Sequence, residues 1–143
     1  EAGGVAYIYL CYGIHHLFNV VTGQAGQAHA ILVRAIEPLE NIALMQQRRD
    51  FTAHRHFDRN GQVKPQLTAG PGVMSKALGI TKAFTGVSLT EPDSPIWIED
   101  RGMQVNASEI IASPRVGIPY AEECIDWPWR FRVKESRWTS KAK

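Results

Sequence analysis

The sequence predicts a mixed α/β domain rich in short strands, and three observations carry that prediction. Twelve glycines and eight prolines in 143 residues favour many turns over a helix bundle. The amino-terminal segment is dense in aromatic and branched side chains, the residue types that suit a pleated surface. Apolar residues at helical spacing occur in two later segments, near residues 37–49 and 73–78. At 44% hydrophobic and 21% charged, the chain has the composition of one folded domain, which excludes disorder, collagen and coiled coil.

Taken in order, Val5–Cys11 and Leu17–Thr22 read as strands, joined by Tyr12-Gly-Ile-His-His16 as the connection of an antiparallel hairpin. A turn at 23–27 leads to a third strand over Ala28–Ile36, completing a meander. If the first turn centres on Ile14, Tyr9 faces Asn19 across the ladder, and Leu32 and Arg34 share a face by the two-residue period. Glu37-Pro38 opens a helix to about Arg49, with Leu39, Ile42 and Met45 as its buried stripe. Residues 50–66 have neither period and read as a basic loop. Thr68–Gly72 leads into a second helix, Val73 to about Leu78, whose start is either an ordinary helix entry or a phosphate cradle of free N–H groups. Ile96–Ile98, Glu109–Ala112 and Trp129–Val133 read as further strands, and residues 134–143 as a fraying basic end.

Two cysteines, Cys11 and Cys124, make no disulfide framework, and the amino end lacks the order of a signal peptide, so a reducing cytoplasm is expected. The longest apolar run, Val5–Val21, is broken by Gly13, His15, His16 and Asn19, so no membrane span is expected. The net charge of +2 identifies no partner, but its distribution is uneven. Only Glu1 and Arg34 are charged in residues 1–36, whereas 48–64 hold five basic residues and 129–143 hold six. Basic segments beside aromatic ones mark either a nucleic-acid surface or merely solvated loops and a charged tail.

The five histidines, including His54 and His56, and the two cysteines show no zinc-ligand spacing, so no metal and no cofactor is expected. There is no nucleophile elbow, phosphate-binding P-loop or dinucleotide fingerprint. What remains is the hairpin. Tyr7, Tyr9 and Tyr12 are either plain strand packing or base-stacking rings, with Tyr12 beside Gly13 at a tip where a ring has no core to enter.

At Ala6-Tyr-Ile-Tyr-Leu-Cys-Tyr-Gly13, Phe18-Asn-Val20, Leu32-Val-Arg-Ala-Ile-Glu-Pro-Leu39, Gly70-Pro-Gly72, Lys76-Ala-Leu-Gly-Ile80 and Pro114-Arg-Val-Gly117, the sequence resembles the alkyladenine (3-methyladenine) DNA glycosylase family. Trp129-Arg-Phe-Arg-Val and Ser136-Arg-Trp138 are similar to that family's carboxyl end. The resemblance implies a curved antiparallel sheet with a hairpin wedge and a few packed helices, like the barrel of a formyltransferase carboxyl-terminal domain. It also implies a monofunctional base-excision repair enzyme that flips damaged purines out of double-stranded DNA and hydrolyses the base–sugar bond without metal.

Carried over by position, the resemblance gives Tyr12 the role of filling the gap left by the flipped base. Ile14, His15, Lys82 and Arg115 become further DNA contacts. Tyr9, Asn19 and Leu32 become the base pocket, with Asn19 excluding the 2-amino group of guanine. Arg34 and the backbone carbonyl of Val116 become the groups that position the attacking water. In the family the general-base glutamate lies in a portion that precedes the Ala6 block, and Glu1 does not occupy its place, so the base is expected outside this chain. Residues 1–143 are thus expected to be the carboxyl-terminal two-thirds of such an enzyme, one amino-terminally truncated domain, inactive as given. Val73 stands where many members carry a phosphate-touching lysine, for which Lys76 or Lys82 is a partial substitute. The implied partner is DNA containing alkylated or deaminated purines, in the bacterial cytoplasm or a nucleus, with the protein a monomer. A noncatalytic DNA-binding module retaining the wedge is the alternative.

Overall fold

The computed structural model describes residues 2–50, 57–120 and 122–139. Strand β1 (Ala6–Cys11) pairs antiparallel with β2 (His15–Thr22), which pairs with β3 (His29–Leu32), giving a three-stranded meander in the order β1-β2-β3. The hairpin turns through three residues, Tyr12–Ile14, closed by the Ile14 N–H donating to the Cys11 carbonyl at 3.1 Å. Tyr12 (φ 52°) and Gly13 (φ 71°) are both left-handed, so the turn centres on Gly13 and not on Ile14. Tyr9 therefore faces Leu17, and Asn19 faces Tyr7. Moving the centre by one residue slides the pairing by two, an even number that leaves Tyr9 and Asn19 on the same face.

β3 is shorter than the expected Ala28–Ile36. Beyond Leu32 the chain peels from the ladder, although the Val33 N–H still reaches the Phe18 carbonyl at 3.0 Å and Ala35 bridges to Ala69. Helix α1 spans Ile42–Arg48 and begins later than the expected Glu37, because Asn41 at its N-cap is left-handed (φ 54°) and no right-handed helix runs through such a residue. Pro38 thus lies ahead of the helix, and Leu39 stays 70% exposed instead of joining the stripe of Ile42 and Met45.

Helix α2 (Pro71–Leu78) starts with proline in its first turn and ends at left-handed Gly79 (φ 73°). Its last carbonyls receive the Arg48 guanidinium, with Nη1 donating to Leu78 O at 2.7 Å. That bond ties the end of α1 to the end of α2. Ile96–Ile98 forms no strand; the Ile98 N–H donates once, to the Leu89 carbonyl at 2.8 Å, and Trp97 is half exposed.

β4 (Ile110–Ser113) and β5 (Arg130–Val133) form a second, two-stranded sheet. Among the described residues the two sheets remain separate and do not close into the barrel expected from the resemblance, since β4 and β5 ladder only with each other. The architecture is mixed α/β with antiparallel sheets and few helices. The expected fraying end is anchored as far as Thr139: Trp138 is 9% exposed, and Arg137 donates to Gln62 Oε1 at 2.8 Å and Val63 O at 3.0 Å. Residues 140–143, and His54 and His56, lie outside the described residues. No helix among the described residues is long and apolar enough to cross a membrane.

The main core joins Ala6, Ile8 and Phe18 to Met74, Ile80 and Leu89; a second cluster of Met45, Leu67 and Ala77 lies between the helices. One face of the meander is thereby buried against α2. The alternation of β1 then turns Tyr7 and Tyr9 to the opposite face.

Candidate base pocket and nucleic-acid interface

That opposite face is built in rows. Tyr7, Asn19 and Leu32 are cross-strand partners on β1, β2 and β3, and Tyr9 with Leu17 forms the next row. The structure thus brings the three expected pocket residues, Tyr9, Asn19 and Leu32, to one surface and adds Tyr7 and Leu17. The Tyr7 and Tyr9 rings are 5.9 Å apart and tilted by 35°, each partly exposed, so flat aromatic area is offered to a ligand. Partial burial, with smaller contributions from Cys11, Tyr120 and Tyr7, pushes the Tyr9 phenol above its ordinary value and keeps it neutral as a stacking surface.

Asn19 is 7% exposed, and its amide is held by the backbone. Nδ2 donates to the carbonyls of Tyr7 (3.2 Å) and Leu17 (3.1 Å). Both amide protons are committed, so the side chain cannot swivel away from a group that presses on it without losing two buried bonds.

Arg34 follows β3 and is partly buried. Its pKa is lowered first by burial and then by the like charge of Arg130 on β5, and its Nε is buried without a hydrogen-bond partner. Val116 lies in the loop after β4 and lines, together with Arg130, a cavity of about 970 Å³. Arg130 therefore lies near both expected water-positioning residues, Arg34 beyond β3 and Val116 beyond β4. Sequence reading did not single it out; the available signal was the alternation in Trp129–Val133, where the residues with the inward period are arginines.

At the hairpin tip Tyr12 is 87% and Ile14 71% exposed. His15 packs over the start of α2, where a Cβ on Gly72 would lie 2.9 Å from its ring. His16 accepts the Lys82 N–H at Nδ1 (3.2 Å). Ile14, His15 and His16 border a smaller cleft of about 470 Å³ with Arg49 and Lys76. Lys76 is engaged by Asp50 at 2.5 Å, which leaves Lys82 as the exposed lysine near the tip. Arg115 lies beside Val116 with its guanidinium 5.3 Å from the Trp129 ring.

The profile described as methylpurine-DNA glycosylase matches residues 1–137. Three relatives, each named "Putative 3-methyladenine DNA glycosylase", illustrate the likeness. The Nitrosococcus oceani protein is 44% identical over 138 residues, covering 96% of this chain and 62% of its own length. The Clostridium novyi protein is 39% identical over 145 residues (99% and 67%), and the Chlamydia felis protein 44% over 139 residues (94% and 64%). The chain thus spans between 62% and 67% of the length of these relatives. With a match over almost its whole length, it belongs to the methylpurine-DNA glycosylase family.

Proposed function

We infer that the whole protein is a DNA repair glycosylase that removes alkylated or deaminated purines, and that this chain supplies its wedge and most of its base pocket. The observation that carries the reading is the hairpin itself, which holds an almost fully exposed Tyr12 in a left-handed conformation at its tip and a tyrosine face beside it. A non-glycine residue with positive φ costs about 1–2 kcal/mol. A flat ring held out into solvent at that cost suits a side chain that replaces a flipped base in a stack.

In this reading the extruded purine stacks on Tyr9, and electron-poor or cationic bases gain about 0.5–2 kcal/mol over the normal base. Asn19 excludes guanine by shape, because its amide is held in place by two backbone carbonyls. Leu32 closes the same row. Arg34 and the Val116 carbonyl orient the water, whose oxygen bonds to the sugar carbon as the bond to the base breaks and its electron pair leaves with the purine. Ile14, His15, Lys82 and Arg115 approach the strand around the lesion. The isolated chain is then a DNA-binding piece of a glycosylase domain, monomeric and without excision activity of its own, acting wherever the cell keeps its DNA.

Two measurements on the 143-residue chain test this. Tyr12→Ala weakens binding to an abasic-site duplex by about 1–3 kcal/mol in fluorescence anisotropy at fixed salt; unchanged affinity overturns the wedge. Incubation with alkylated DNA releases no free 3-methyladenine, since general-base help is worth about 10²–10⁴-fold; robust release shows that a carboxylate of this chain serves.

A further inference from the structure

Gly72 is the second residue of α2, and nothing in its backbone calls for glycine. Its φ lies outside the left-handed region, unlike that of Gly79 at the other end of the helix. At such a position alanine is the better helix former. What excludes a side chain is His15: a Cβ on Gly72 would lie 2.9 Å from the Cγ and Nδ1 of His15 and 3.1 Å from its Cβ. The contact reaches the root of the side chain, so turning the ring relieves only part of it and one of the two backbones has to move. The packing decides which. α2 is locked by Met74 and Ala77, both fully buried, one in each core cluster, and its end is tied by Arg48. Residues 10–16 of the hairpin belong to neither cluster, so the displacement falls on the hairpin.

His15 is the last rung of the ladder, paired with Cys11, and beyond it lies only the turn that carries Tyr12. That turn is closed by the Ile14 N–H on the Cys11 carbonyl and holds Tyr12 and Gly13 both left-handed, so it has little freedom to absorb a shift at His15. His16, the next residue, accepts the Lys82 N–H at 3.2 Å, just past the other end of α2. Consecutive side chains of β2 thus grip α2 at its first turn and beyond its last. We propose that Gly72 and His15 form a seat that sets the pose of the hairpin tip, which makes Gly72 a positioning residue for Tyr12. The absent side chain lets His15 rest on the helix. A methyl group there lifts the tip and turns the Tyr12 ring out of line with a base stack, which takes up a ring only when it lies flat at stacking distance. The seat itself is independent of DNA; only its use in inserting Tyr12 rests on the glycosylase reading.

The seat is read first in the free 143-residue chain, through the amide resonances of Tyr12 and Gly13. Gly72→Ala is expected to shift both, whereas the same substitution added to His15→Ala, where the ring is gone, leaves them where His15→Ala alone puts them. Circular dichroism follows folding in each variant; a Gly72→Ala chain that fails to fold and is restored by His15→Ala shows the same coupling, and one that is not restored overturns it. Resonances that stay put in Gly72→Ala, or that move equally in both backgrounds, also overturn the seat. Its use is read by fluorescence anisotropy with an abasic-site duplex at fixed salt. Gly72→Ala is expected to weaken binding about tenfold, within the range for one lost base stack, and to add nothing to the effect of Tyr12→Ala. An equal loss with and without the Tyr12 ring, or no loss with it, overturns the positioning role. Tyr12→Ala binding as tightly as the parent chain overturns the wedge reading instead, and the resonances still decide the seat.

Discussion

In the proposed reading, Asn19 serves structure and selectivity together. Its two donated bonds tie β2 to the edge strand β1 and back to its own strand, and both are shielded from water. Asn19→Ser removes them and leaves two carbonyls without a donor, so urea unfolding is expected to show a loss of about 1–3 kcal/mol. That loss slows excision of every base alike. The selective part appears only as a ratio: in the full-length enzyme, excision of 7-methylguanine relative to hypoxanthine is expected to rise about 5- to 150-fold, because only guanine-type bases bring an amino group to that edge. A ratio that does not move reduces Asn19 to a structural residue. His16 carries no such double role on this geometry, since its Nδ1 is already the acceptor for the Lys82 N–H.

At the scale of elements, the helices are positioned by their ends. Gly79 terminates α2 with φ 73°, and a Cβ there would lie 2.8 Å from Arg48 Cζ. Gly79→Ala therefore meets both a left-handed backbone and the guanidinium that caps α2. A destabilisation of about 1–2 kcal/mol is expected in thermal or urea unfolding, and more if Arg48 cannot give way. Ala at Gly61, where φ is 74° and nothing lies within 4 Å, meets the backbone term alone and provides the comparison. Because α2 buries Met74 against Ile8 and Phe18, any tilt of that helix is transmitted to the back of the tyrosine face. The hairpin and α2 are thus one device: the helix supports the sheet from behind, and His15 crosses over Gly72 at the tip.

For the molecule as a whole, the carboxyl end fastens the second sheet to the rest. Arg137 reaches back to Gln62 and Val63, lies 3.8 Å from Asp58, and stacks 5.6 Å from the Trp138 ring. Trp138 is 9% exposed. Trp138→Ala is expected to lower stability by about 3–5 kcal/mol, the usual range for emptying a large buried aromatic site. If residues 134–139 were a loose tail, the same substitution would change the unfolding midpoint little.

The amino-acid sequence by itself determined the hairpin, the third strand's place beside it, both helices and the strand pair near the carboxyl end, because local periodicity and turn chemistry suffice for these. It also carried the family, through motifs spread along the chain. The face shared by Tyr9 and Asn19 was legible for a simpler reason: side-chain direction depends only on parity, which survives an error of two in register. Tertiary structure alone decided the rest. A left-handed Asn41 shortened α1; asparagine tolerates that conformation better than other non-glycine residues, but the helical spacing of Leu39, Ile42 and Met45 outweighed it in the sequence. Trp138 found burial in what reads as a charged tail. The inward arginines of β5 went against hydrophobic pattern altogether, because which face of a strand is inner depends on what the chain folds against it, and no window of sequence contains that partner.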